Sequence, residues 1–144
     1  MSDYKKILIA VDLSDDSPYV VDKALALASS GAELHMMHVM EPIAVGYAVE
    51  VTSIDVEGLH AEASKQARHA LLELGGNLGI PAHRLHHVLG QPAREIREMA
   101  KELGADLIVM GGHGKHGLDL LFGSTSSGVT HGVSCDLLIV RIPG

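Results

Sequence analysis

Short apolar runs alternate with stretches of helical periodicity along this chain. The runs lie at residues 5–11, 34–40, 84–89, 107–110 and 137–142, and helical spacing fills most of the intervals between them. Continuous apolar strands are typical of parallel sheets, whose two faces are both covered by helices. The alternation therefore predicts an α/β fold with a doubly wound five-stranded parallel sheet, and 144 residues predict one domain over the whole chain.

Glycine and proline mark the ends of the predicted helices. Ser17 followed by Pro18 predicts a helix start with Ser17 as the N-cap, and Gly31 predicts its end. Gly79 and Gly104 are expected to end the next two helices. Residues 41–56 are long for a plain connection, which leaves open a flap over the site, a partner contact or a variable surface loop.

The fourth apolar run stops at a cluster of glycines. These are Gly111, Gly112, Gly114, Gly117 and, just ahead of the hydroxyl run 124–127, Gly123. Glycine allows positive φ and lets the backbone approach a ligand, while hydroxyls cap a new helix whose free N–H groups favour an anion. The pattern predicts a phosphate cradle followed by a helix over about 124–132. The alternative is a tight turn with a capped helix and no ligand.

Asp12 closes the first apolar run. The carboxyl ends of strands in open α/β sheets are where ligands bind, so this carboxylate could accept from ribose hydroxyls or help to hold a metal. The alternative is a loop carboxylate that caps nearby backbone N–H groups. If the first and fourth strands are neighbours, Asp12 and residues 111–114 line one crevice.

Charge and composition exclude several classes of partner. A formal charge of −7 disfavours binding to nucleic acid or to an anionic membrane, and 3% aromatic residues offer no stacking platform for single strands. The negative charge of a bound polyphosphate would have to be compensated by backbone N–H groups, Lys115, a histidine or a metal. With a single cysteine, Cys135, interpreted as a small buried hydrophobe, we expect a cytoplasmic protein without a membrane span.

Histidines cluster in the second and third strands. His35 and His38 are three residues apart, so on a strand they face opposite sides and cannot chelate one ion together. His83, His86 and His87 lack a carboxylate or cysteine at a recognisable ligand spacing, so no metal site is predicted.

Several segments, in their order and spacing, resemble the universal stress protein family over essentially the whole chain. They are Ile-Leu-Ile-Ala-Val-Asp-Leu-Ser at 7–14, His-Val at 38–39, Gly-Ala-Asp-Leu-Ile-Val-Met-Gly at 104–111, Gly-Ser-Thr at 123–125 and Cys-Asp-Leu-Leu-Ile-Val at 135–140. The family's nucleotide signature has nine residues between its second and third glycines, whereas eight separate Gly114 from Gly123 here.

The resemblance implies strand order 3-2-1-4-5, a homodimer that pairs through the last strand and, in one branch, ATP binding, possibly with Mg²⁺. That branch would place adenine and ribose against Ala10, Asp12 and Val39. Ribose and phosphates would contact Met110, Gly111 and Gly114, and phosphates would contact Gly123, Ser124 and Thr125. ATP-binding members often have proline at the position of Ala10, and members without nucleotide often keep a Val-Asp-Leu-Ser start like this one.

Three functions follow as hypotheses. The first is a stress-response ATP-binding protein acting as a dimeric regulatory module, and the second is a dimeric interaction protein with a vestigial site. The third is slow ATP hydrolysis or autophosphorylation on Ser124 or Ser126, with His113, Lys115 and His116 as candidate acid–base groups; no catalytic residue is assigned.

Overall fold

The computed structural model describes residues 4–42, 55–113 and 128–142. Its strands are β1 (Tyr4–Ala10), β2 (Ala28–Met40), β3 (Leu85–Leu89), β4 (Leu107–His113) and β5 (Asp136–Ile142). Its helices are α1 (Ser17–Leu27), α2 (Val56–Asn77) and α3 (Pro92–Leu103), with a 3₁₀ turn at Ala82–Arg84 and helical backbone at 128–130. All strand pairs are parallel, in the order β3-β2-β1-β4-β5. The predicted α/β fold and strand order are confirmed.

Successive residues of the central strand β1 point to opposite faces of the sheet, and each face has its own apolar core. On one face Ile7 and Ile9 pack with Val21 of α1 and Leu71 of α2. On the other face the core is formed by Leu8, Met37, Ala93, Ile96, Ile108 and Val129. Residues 7–9 of β1 are therefore shielded from water on both faces, as the apolar sequence of this part of the strand predicts.

Two of the three predicted helix-ending glycines are confirmed. Gly79 and Gly104 follow α2 and α3 with φ of +75° and +69°, a conformation that glycine adopts without a Cβ penalty. The prediction for Gly31 is wrong, because α1 ends at Leu27 and Gly31, with φ of +76°, lies inside β2. The strand begins earlier than predicted because Ala28 pairs with Tyr4 of β1. The register between the two strands shifts between Tyr4 and Lys6, and the positive φ of Gly31 accommodates this irregularity.

The start of α1 also differs by one residue from the prediction. Ser17 is the first helical residue and Asp16 is the N-cap. The Ser17 hydroxyl is buried and donates to Asp12 Oδ1 at 3.3 Å, so it serves the turn after β1 and does not cap the helix.

Strand β4 continues past the point where the sequence predicted its end. Gly111, Gly112 and His113 pair with Val140, Arg141 and Ile142 of β5, so the expectation that the strand stops at Met110 is wrong. The neighbouring strand supplies the hydrogen-bonding partners that hold these glycines in an extended conformation.

Candidate functional site

Three of the residues expected to contact a nucleotide, Ala10, Val39 and Met110, lie on one face toward the carboxyl ends of adjacent strands. Ala10 pairs with Met37 of β2 on one side and with Met110 of β4 on the other. Met110 belongs to the apolar core beside α3, and Ala10 and Val39 pack against that core. The strand order reverses between β1 and β4, which is where ligands bind in open α/β sheets.

Asp12 lies at this edge of the sheet with an exposed side chain. Its Oδ1 accepts from the Ser14 backbone N–H at 3.0 Å and from the Ser17 hydroxyl at 3.3 Å. The capping alternative considered for this carboxylate is therefore present in the structure, and its exposure leaves it accessible to a ligand.

The turn that carries Asp12 is held in an uncommon conformation. Leu13 has φ of +63° and is the non-glycine residue with positive φ in the described part of the chain. This conformation costs about 1–2 kcal/mol for a residue with a Cβ, and such positions cluster at functional sites. Leu13 also packs against the core beside α1, which offsets the strain.

Gly111 has a packing role in the structure. A Cβ at this position would lie 2.8 Å from Ile142 Cδ1 and 3.0 Å from Val20 Cγ2, so α1 and β5 occupy the space beside it. The contacts explain why glycine is needed here without invoking a phosphate. The other predicted phosphate-binding residues, namely Gly114, Gly123, Ser124 and Thr125, lie outside the described residues. So do the candidates Lys115 and His116 and most of the long connection at 41–56, namely residues 43–54.

The chain segment that follows the hydroxyl run is fixed to α3. Arg97 Nη1 donates to the Gly128 carbonyl oxygen at 2.6 Å. A Cβ at Gly128 would lie 2.6 Å from Ala93 Cβ, and one at Gly132 would lie 2.5 Å from Arg97 Cδ. Sequence reasoning missed this anchor, although glycines four residues apart on a predicted helix indicate a close contact on one helix face.

Two pairs of histidines join β2 to β3. His35 Nδ1 lies 3.0 Å from His86 Nε2, and His38 Nδ1 lies 3.1 Å from His87 Nδ1. Because alternate side chains of a strand point to opposite faces, the pairs lie on opposite sides of the sheet. The inference that His35 and His38 cannot share an ion is thus consistent with the structure. Among the described residues no group of three or more histidines, cysteines or carboxylates could hold a metal ion.

Burial sets the charge state of the pair nearest to Asp12. It lowers the pKa of His38, as does the neighbouring His87, while the Asp12 carboxylate acts in the opposite direction. Burial and then the positive field of Arg68 lower the pKa of His87. Both rings are therefore neutral at pH 7.

Cys135 and β5 border the outer edge of the sheet. Burial, followed by the charges of Asp136 and Asp106, raises the pKa of the half-buried Cys135 thiol, which is consistent with a hydrophobe more than with a nucleophile. Strand β5 is the last in the sheet order, and its apolar residues 137–139 are only half-buried.

No helix in the described ranges is long and apolar enough to cross a membrane.

Comparison with known proteins assigns the family. The model of the universal stress protein family matches residues 3–141. The chain belongs to the universal stress protein family. Universal stress protein A homolog 1 of Coxiella burnetii is 40% identical over 138 residues, which cover 95% of this chain and 96% of the relative. Universal stress protein YxiE of Bacillus subtilis is 34% identical, with coverage of 96% and 99%.

Solved structures share the fold. The structure of hypothetical protein MJ0577 aligns with a TM-score of 0.79 at 24% identity and covers 98% of both chains. A universal stress protein in complex with cAMP aligns with a TM-score of 0.56 at 24% identity, covering 96% of this chain and 98% of the other. Universal stress protein UspA from Lactobacillus plantarum aligns with a TM-score of 0.66 at 26% identity, covering 98% and 100%.

Proposed function

We propose that this chain is a nucleotide-binding regulatory module that holds ATP, with Mg²⁺, at the carboxyl ends of β1 and β4. The observation that carries the proposal is the meeting of Ala10, Val39 and Met110 on one face beside Asp12, where the strand order reverses. A family member of the same fold was solved with cAMP, which supports a nucleotide as the class of ligand.

The residues of this edge suit the parts of a nucleoside. Ala10 and Val39 offer a small apolar surface for a base, Met110 lies beside them toward the ribose, and the exposed Asp12 carboxylate accepts hydrogen bonds from ribose hydroxyls. The phosphates would extend toward Gly114, Gly123, Ser124 and Thr125. Because the chain carries a formal charge of −7, a divalent cation would offset the repulsion of a triphosphate.

Calorimetric titration of the nucleotide-stripped protein with ATP and Mg²⁺ tests the proposal. We expect saturable binding that is lost in the double variant Gly114→Val, Gly123→Val, because a side chain blocks close approach of the backbone to a phosphate. Gly76→Val is the matched control, since a Cβ at this helical glycine meets nothing within 4 Å. A folded wild-type protein that binds no ATP would favour the alternative, a dimeric interaction protein with a vestigial site.

We also propose that two copies pair through β5. The strand ends the sheet with half-buried apolar residues, and an edge strand of this kind invites pairing with another chain. Light scattering after size-exclusion chromatography should give twice the chain mass of 15.2 kDa. A monomer at micromolar concentrations of the chain would contradict this assembly.

A further inference from the structure

Arg97 joins α3 to the segment that follows the hydroxyl run 124–127. Its side chain is half-buried, and its Nη1 donates to the Gly128 carbonyl oxygen at 2.6 Å. A hydrogen bond from a charged donor is stronger than one between neutral groups. Gly128 is the next residue after Ser127, so this bond fixes the point at which the hydroxyl run enters the helical turn at 128–130.

Two close contacts set the path of the Arg97 side chain. A Cβ at Gly132 would lie 2.5 Å from Arg97 Cδ and 2.6 Å from Nε, so the middle of the side chain lies directly against Gly132. Gly128 in turn lies against Ala93, one helical turn before Arg97. The arginine therefore extends from the level of Gly132 to the level of Gly128, in the direction of the hydroxyl run.

The neighbouring Val129 holds the same turn in a different way. It is fully buried in the core beside α3, and its carbonyl oxygen accepts from the Gly132 N–H at 3.1 Å. Apolar burial is not directional, whereas a hydrogen bond requires a particular alignment of donor and acceptor. Val129 therefore fixes the depth of the turn, and Arg97 fixes its orientation.

Covalent geometry links this anchor to the residues proposed to bind phosphates. Thr125 and Ser124 are three and four residues before Gly128. An extended chain spans at most about 3.6 Å per residue, so their Cα atoms lie within about 11 and 14 Å of the Gly128 Cα. Holding Gly128 in place therefore restricts where these two hydroxyls can lie.

We infer that Arg97 is a positioning residue of the proposed nucleotide site, which orients the hydroxyl run for phosphate binding through Gly128 and contacts no ligand itself. The inference rests on the proposed function for the ligand and on the hydrogen bond to Gly128 for the positioning. The effect is selective for phosphates, because the surface proposed for the base, at Ala10 and Val39, belongs to β1 and β2.

Amide hydrogen exchange in the ligand-free, full-length protein tests the anchor. We expect the backbone N–H groups of residues 129–132 to exchange faster in Arg97→Ala than in the wild type, because the turn loses its orienting bond. Lys101→Ala is the matched control, since Lys101 is an exposed cation in the last turn of the same helix. Exchange in Arg97→Ala equal to that in the wild type would overturn the inference whether or not ATP binds.

The affinities for ATP and adenosine test the selectivity. Arg97→Ala should lower ATP affinity about three- to tenfold, the range of one hydrogen bond, and leave adenosine affinity unchanged. Calorimetric titration measures ATP binding, and chemical-shift titration measures adenosine binding. Lys101→Ala removes the same charge and should change neither affinity. Arg97→Lys, which retains a positive charge and a donor, should recover part of the lost ATP affinity.

Gly132→Ala displaces the arginine without removing it. The φ of Gly132 is not positive, so alanine suits the backbone, but its Cβ would collide with Arg97 Cδ. We expect the same selective loss of ATP affinity, and no further loss when Gly132→Ala is combined with Arg97→Ala, because the collision is then absent. Losses that add in the double variant would contradict the inference.

The outcomes separate this inference from the proposed function. ATP affinity of Arg97→Ala equal to that of the wild type, or equal losses of ATP and adenosine affinity, would overturn the role of Arg97 and leave nucleotide binding intact. Absence of ATP binding in the wild type would overturn both, and amide exchange would still report whether Arg97 fixes the turn at Gly128.

Discussion

The two histidine pairs that join β2 to β3 have similar contacts but different surroundings. Their nitrogens are 3.0 and 3.1 Å apart and their ring planes are inclined by 19° and 7°. His35, in the first pair, is buried, and its Nε2 lies 2.6 Å from Glu33 Oε2. His38, in the second pair, is half-buried, and its chain ends on the neutral hydroxyl of Ser64 through His87.

The difference shows how the same side chains are suited to different roles. A carboxylate only accepts, so Glu33 fixes a proton on His35 Nε2, and both ring nitrogens of His35 are used inside the protein. In the second pair His38 Nδ1 contacts His87, whose Nε2 lies 3.3 Å from Ser64 Oγ of α2. The first pair therefore ties a buried ring to a carboxylate, while the second joins β2 and β3 to α2.

The largest expected effect is on the first pair. His35→Ala should lower the free energy of unfolding by about 2–4 kcal/mol, because it creates a cavity and removes the partner of Glu33 and His86. His38→Ala, at a half-exposed position, should cost about 1 kcal/mol. Urea unfolding of both variants measures the difference, and equal losses would contradict the distinction between the pairs.

Acid should affect the second pair more than the first. The pKa values of His38, His87 and His86 are lowered from 6.5, so the unfolded chain binds protons at these sites more readily than the folded one. The stability that these neutral rings contribute is fully present above pH 6.5 and is lost as the pH falls through their lowered pKa values. The urea midpoint should decline as the pH falls from 7.5 to 5. This decline should be shallower in the double variant His38→Asn, His87→Asn than in the single variant His86→Asn. The reverse ranking would show that the first pair dominates the acid response.

The smallest effect is expected at the carboxylate end of the first pair. The hydrogen bond to His35 and then the charge of Lys6 hold the pKa of Glu33 below 4.5, so its contribution to stability is present above pH 4.5 and is lost as the pH falls through the lowered value. Glu33→Gln should therefore lower the thermal midpoint slightly at pH 7 and less at pH 3.5. Glu62→Gln is the surface control, since Glu62 contacts Gln66 on the same helix. A larger difference at the lower pH would refute the sign of this effect.

Much of the fold is predictable because its signals are local. Gly79 and Gly104 end helices in a left-handed conformation that glycine adopts without a Cβ penalty, and residues 7–10 of β1 are apolar because both faces of the strand are covered there. Candidate site residues such as Ala10 and Met110 were placed by resemblance, and the structure brings them side by side. The extension of β4 and the early start of β2 were not predicted, because each depends on a partner strand distant in sequence.

The sequence by itself determined the alternation of strands and helices, the glycine stops and the position of Asp12 at the end of an apolar strand, since these follow from side-chain periodicity and backbone freedom. Only the tertiary structure decided that Gly111 makes room for Val20 and Ile142, and that each β2 histidine meets a β3 histidine. Register is the physical reason: it is set by hydrogen bonds and packing between segments about 50 residues apart, and a shift of one residue would reverse every face.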